Sequence, residues 1–123
     1  MSLASIVIAF GGLGTVVLAG LAVMFWRDPV WGMRLTAHRP EQLPQVMINR
    51  YAALTLVALG AVLMADLRFI TLMAAAAAVL GLGDAVTYGR AGQPYAKHLI
   101  AGLLAAAVAA VGLLAVVTSG EIG

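Results

Sequence analysis

Residues 67–88 read LRFITLMAAAAAVLGLGDAVTY. After Arg68 the run carries no charge until Asp84. A bilayer core of about 30 Å takes roughly 20 such residues as a helix. The stretch is expected to span a membrane, and Asp84 is the residue in it that apolarity leaves unexplained. Three more runs share its character. Leu3–Trp26 is uncharged throughout; a second starts near Pro44, is apolar after Arg50 and ends at Ala65; the last goes from about Pro94 to Thr118 and is uncharged after His98. The expected fold is all-α. It is a four-helix transmembrane bundle forming one integral membrane domain over residues 1–123, with spans at about 3–26, 44–65, 67–88 and 94–118.

The whole chain agrees with this reading. Of its 123 residues 63% are hydrophobic and 10% charged, whereas a soluble domain carries about 25% charged residues. So few charges cannot coat a soluble globule. The same composition excludes a disordered chain, and the absence of cysteine excludes a disulfide-stapled module. The net charge of +2 is no nucleic-acid footprint. Basic residues sit between apolar runs rather than on one soluble face, so no nucleic-acid partner is expected.

Local signals set the helix ends. Pro44 and Pro94 stand where a first turn would begin, where a missing N–H costs nothing. Asp66 can cap the third span from a short turn. Gly89 and Gly92, in Gly-Arg-Ala-Gly-Gln-Pro, end it. Short connections make neighbours antiparallel, hence an up-down bundle. Arg27, Arg34, Arg39 and Arg50 lie around the first loop and Arg90 and Lys97 around the third, against Arg68 alone on the other side. The first and third loops are therefore expected in the cytoplasm and both termini outside. The first run has no basic residue before a long apolar core, which suits a retained helix better than a signal peptide.

The first loop, Arg27 to Leu43, is expected to lie along the membrane interface, partly helical between Pro29 and Pro40. Trp26 and Trp31 belong at headgroup level, and Arg27, Arg34 and Arg39 can snorkel towards phosphates. The segment is either a lid over a pocket or a lipid-surface anchor. The anchor is the simpler reading, because aromatic belts are common.

Burial does not drive helix association in lipid; close backbone approach between small residues does more. Candidate contact stripes are Ser5, Gly12 and Ala19 with Thr15 and Ala22 beside them; Ala53 and Gly60; Ala74, Ala78, Gly81 and Ala85; and Ala101, Ala105 and Gly112. At helical spacing Asp84, Tyr88 and Gly81 share a face, as do His98, Ala105 and Gly112, and Arg50, Ala53 and Gly60. Asp84, Arg50 and His98 are thus expected to point into the bundle at similar depth.

A lone charge in the bilayer costs a few kcal/mol even on the lenient insertion scale, so Asp84 should have a partner. Arg50 can bind a carboxylate through two parallel N–H bonds, which leaves His98 free to gain or lose a proton near neutral pH. Asn49, Tyr51, Tyr88 and Tyr95 can complete the network. Two readings stay open. In one, the groups form the polar end of a pocket for a lipophilic molecule, with Asp84 and His98 as candidate acid–base groups and Arg50, Asn49, Tyr88, Tyr51, Tyr95 and Trp31 as ligand-binding residues. In the other, Asp84–Arg50 is a structural ion pair and His98 an interfacial donor. Asp66 and Arg68 are explained as a cap and a neighbouring surface charge, and Asp28, Glu41 and Glu121 as solvated charges.

Other chemistry is thinly represented. Gly-Gly-Leu-Gly at 11–14 lacks the strand–helix context of a phosphate loop. Two widely separated histidines, His38 and His98, make neither a metal site nor a haem site, and no cofactor is expected. No serine stands beside a base as a nucleophile. Methionines read as core filler.

The block Asn49-Arg50-Tyr51-Ala52-Ala53-Leu54, with Asp66-Leu67-Arg68, Gly83-Asp84-Ala85, Gly89, Gly92 and Lys97-His98, resembles a family of small four-helix bacterial membrane proteins known only as a domain of unknown function. More loosely it resembles the DoxX-like four-helix membrane proteins. The likeness covers residues 49–112. It implies a compact bundle in the bacterial inner membrane with Arg50, Asp84 and His98 as pattern positions, and it brings no substrate. Three functions are then expected in order: a membrane protein that binds, or acts by acid–base chemistry on, a lipophilic molecule or lipid; an accessory subunit of a larger membrane complex; and an oligomeric transporter or proton pathway. Four helices are few for a monomeric transporter with inverted repeats.

Overall fold

The computed structural model describes residues 2–120, apart from the side chains at positions 4, 5, 7, 8, 10–12, 14 and 15. Glu121 and the stripe through Ser5, Gly12 and Thr15 lie outside that description. All regular structure among the described residues is helical. The elements are α1 (Leu3–Arg27), α2 (Pro29–Leu35), a 3-10 turn (Pro40–Gln42), α3 (Leu43–Leu63), α4 (Leu67–Arg90) and α5 (Ala96–Thr118). Among the described residues three helical stretches are long and apolar enough to cross a membrane: Pro40–Leu63, Leu67–Arg90 and Ala96–Thr118. The chain divides into two compact units between Arg50 and Tyr51, inside α3.

In the first unit α2 folds back on the end of α1. Asp28 makes the reversal by accepting a hydrogen bond from the Trp31 N–H at 2.9 Å, with Pro29 in the first helical turn. Gly32 permits the contact: a Cβ there would lie 2.9 Å from ring carbons of Phe25. The helix stops at Thr36, and Ala37 takes φ 56° so that its N–H reaches the Arg34 carbonyl at 3.1 Å and that of His38 the Met33 carbonyl at 3.0 Å. This is the double bond of a left-handed C-terminal cap, usually built on glycine. Asp28 is therefore a capping residue rather than only a solvated charge.

In the second unit α4 and α5 form an antiparallel hairpin with a seam of small residues. Ala74, Ala78 and Ala85 of α4 and Gly102 and Val116 of α5 are buried. The tightest crossing is at Gly81 and Gly102. A Cβ on Gly81 would stand 2.6 Å from the Gly102 Cα, and one on Gly102 would stand 2.7 Å from the Leu82 nitrogen. Further along, Gly112 faces Thr71. The seam on α4 is the expected one. On α5 it runs through Gly102 rather than Ala101, which is exposed. The helix ends need small corrections. Asp66 caps α4 as expected, accepting from the Phe69 N–H at 3.1 Å. Ala65, expected inside the second span, instead occupies the turn at φ 51°. Pro94 precedes α5, whose cap is Tyr95.

The threonines of these helices fit an apolar solvent. The hydroxyls of Thr55, Thr71, Thr87 and Thr118 donate to the carbonyls four residues back at 2.7–2.9 Å. A hydroxyl satisfied inside its own helix needs no water, which the hydrocarbon core does not supply. Large side chains point outward instead: Leu56, Val79 and Val111 are each about two-thirds or more exposed. A soluble protein would bury them.

Candidate functional site

The hairpin turn places the polar residues. Gly92 at φ +68° closes α4, with the Gln93 N–H on the Tyr88 carbonyl at 2.9 Å and its own N–H on the Gly89 carbonyl at 3.2 Å. Pro94 then bars any continuation. The last turns of α4 are thereby set beside the first turn of α5. Asp84 and Tyr88 are one helical turn apart on α4, and His98 comes from α5.

These three residues meet. His98 Nδ1 lies 3.7 Å from Asp84 Oδ2. The Tyr88 ring stacks on the imidazole with centroids 4.8 Å apart and planes 11° from parallel. At that separation the Asp84–His98 contact is an ion pair in waiting rather than a hydrogen bond, and its attraction is full when the imidazole is protonated. The side chains of His98 and Asp84 are 39% and 56% exposed. Asp84 stands at the margin of the seam, not within it.

Successive helical residues turn by about 100°. Asp84 and Tyr88 therefore occupy one flank of the seam, while Leu82, Val86 and Gly89 occupy the other. On that second flank an apolar groove of about 430 Å³ is lined by Leu82, Ala85, Val86, Gly89, Tyr95 and Leu99, with Arg90 at its mouth. The Tyr95 ring packs on Gly89, 3.5 Å from where a Cβ would sit. Tyr95 thus belongs to the groove and not to the ion pair.

The remaining expected residues have different surroundings. Arg50 is the last residue of the first unit, where its Nη2 hydrogen-bonds His38 Nε2 at 3.3 Å. Guanidinium only donates, so His38 accepts there and must be neutral with its proton on Nδ1. Asn49 and Tyr51 are exposed on α3, and Trp31 is half exposed on α2. His38 had no role in the sequence reading. Its signal was the Thr-Ala-His-Arg-Pro turn, which lets an imidazole reach a residue twelve positions later. Among the described residues no group of three or more His, Asp or Glu is placed to hold a metal ion.

Compared with family models, with curated proteins and with solved structures, the chain matches none.

Proposed function

We propose that this protein is a small bacterial inner-membrane protein that binds a lipophilic small molecule by its polar head at Asp84, His98 and Tyr88. In this reading α1, α3, α4 and α5 make an up-down four-helix bundle, with α2 along the cytoplasmic interface and both termini outside. The likeness over residues 49–112 implies a compact bundle but bears only on the second to fourth spans. The arrangement is supported by the 25-residue length of α1 and by the arginines grouped around one pair of loops.

One observation carries the binding site. The Asp84–His98 pair, with its imidazole stacked on the Tyr88 ring, remains 39–56% exposed, and no other charge lies between Arg68 and Asp84 on α4 or after His98 on α5. Left against acyl chains, such a group costs a few kcal/mol. A ligand head offering a carbonyl, hydroxyl or anion relieves that cost, while its tail lies along the exposed leucines and valines. Asp84 would orient the imidazole, and His98 would exchange a proton with the ligand, so acid–base chemistry such as an isomerisation is within reach of the site.

Native mass spectrometry of protein extracted in mild detergent tests this. Wild type should retain a lipophile other than bulk phospholipid, and Asp84→Asn should lose it while keeping its helicity. A wild type that carries nothing, or equal retention by Asp84→Asn, contradicts the reading.

A second reading has its own observation. Ala75, Ala76 and Ala77 of α4 and Ala101, Ala107 and Ala110 of α5 lie open on either side of the seam. Small exposed faces let further helices approach closely. They suit a homo-oligomer or an accessory subunit of a larger membrane complex.

A further inference from the structure

The cleft between α2 and the 3-10 turn carries an inference independent of the hairpin site. It measures about 590 Å³. Val30, Met33 and Pro40 give it apolar walls, and Arg34, His38 and Arg39 give it a basic rim. We propose that it binds one anionic phospholipid, with the lipid phosphate between Arg34 and Arg39 and the first part of an acyl chain against Val30 and Met33.

Charge compensation points to an anion. Arg27, Arg34, Arg39 and Arg50 face only two acids in the same unit, Asp28 and Glu41. The Asp28 carboxylate is engaged as a helix cap on the Trp31 N–H. Among the described residues no arginine forms an ion pair. Arg50 is held instead by neutral His38 at the cleft rim, which places a further positive charge behind the cleft without neutralising any. Arginine binds phosphate oxygens through its planar fork, and such charge-assisted bonds are about twice as strong as neutral ones.

The surroundings point to a lipid rather than a free phosphate. Trp26 and Trp31, in the same unit, are 81% and 50% exposed, and exposed tryptophan is the mark of the headgroup layer. A soluble phosphate would gain nothing from the Val30 and Met33 walls. A zwitterionic headgroup would bring its ammonium against the arginines.

The test uses the full chain in detergent micelles, with phosphatidylglycerol or phosphatidylcholine added in equal amount and bound lipid read by native mass spectrometry. Phosphatidylglycerol should be retained over phosphatidylcholine by on the order of tenfold, given the surface attraction expected per arginine. Arg34→Gln with Arg39→Gln should remove that preference, and Arg27→Gln should keep it. Val30→Asp puts a carboxylate into an exposed wall position near the start of α2, where helices tolerate acids; it should give the same loss without removing an arginine. Equal retention of the two lipids, an equal loss in Arg27→Gln, or displacement of the lipid by about 10 mM inorganic phosphate would overturn the proposal.

Discussion

The imidazole of His98 lies flat against the ring of Tyr88, with centroids 4.8 Å apart, and turns its Nδ1 towards Asp84. The stack fixes the imidazole in one orientation at the edge of the α4–α5 seam. Without it, His98 could rotate away from a carboxylate that lies 3.7 Å off and offers no hydrogen bond at that distance. Tyr88 thus joins the aspartate and the histidine in one polar cluster.

Tyr88→Phe should preserve the stack, and Tyr88→Leu should abolish it. The ring current of residue 88 shifts the His98 ring protons upfield in wild type, and NMR should find the shift kept in the first variant and lost in the second. The stacking energy at stake is about 0.5–1.5 kcal/mol. An unchanged His98 spectrum in Tyr88→Leu would remove Tyr88 from the site.

Two neighbouring glycines should respond in opposite ways. Gly81 has the Gly102 backbone 2.6 Å from a prospective Cβ, whereas Gly83 has nothing within 4 Å. Gly81→Ala must push the helices apart and should destabilise the hairpin by about 1–3 kcal/mol. Gly83→Ala should stabilise it, by up to about 1 kcal/mol of helix propensity. Thermal unfolding in detergent, followed by helical circular dichroism, distinguishes them. Equal effects of the two substitutions would contradict the seam.

Ala37 sits in the left-handed region at φ 56° to close α2. A side chain there costs roughly 1–2 kcal/mol. Ala37→Gly should therefore raise stability by about 1 kcal/mol after the unfolded-state entropy of glycine is allowed for. Ala37→Val should lower it, because a branched Cβ is disfavoured at positive φ. The same unfolding measurement reports both.

Arg50 donates to His38, so the bond exists only while His38 is neutral. Nitrogen-15 NMR should find the His38 proton on Nδ1 and Nε2 as the acceptor. A dominant Nε2–H tautomer would rule the contact out.

Much of this architecture was legible in the residues, for identifiable reasons. Apolar runs long enough for a bilayer located α3, α4 and α5 to within a few residues. Asp66 and the Gly89–Gly92 turn marked ends where a backbone group needed a particular partner. The small-residue stripe on α4 was readable because Gly81 and Ala85 continue, at helical spacing, the face that Ala74 and Ala78 share. On α5 alanines are so abundant that a stripe through Ala101, Ala105 and Gly112 passed over Gly102, which the crossing geometry selects. The non-glycine caps at Ala37 and Ala65 were invisible, because local signals for a left-handed residue are glycine and asparagine. Of the expected polar cluster, Asp84, His98 and Tyr88 come together because one short turn joins their helices. Tyr95 falls on the far flank, since its ring packs on Gly89. The hydrogen bond between Arg50 and His38 was illegible, because it depends on the path of the whole segment between them.

The central claim is that a ligand head rests on the Asp84–His98 pair. The most direct measurement is intermolecular NOE spectroscopy on otherwise deuterated protein with protonated His98, purified with its bound lipophile. The account predicts cross-peaks from the His98 ring protons to protons beside the polar group of that molecule. Cross-peaks to acyl-chain methylenes alone would contradict it.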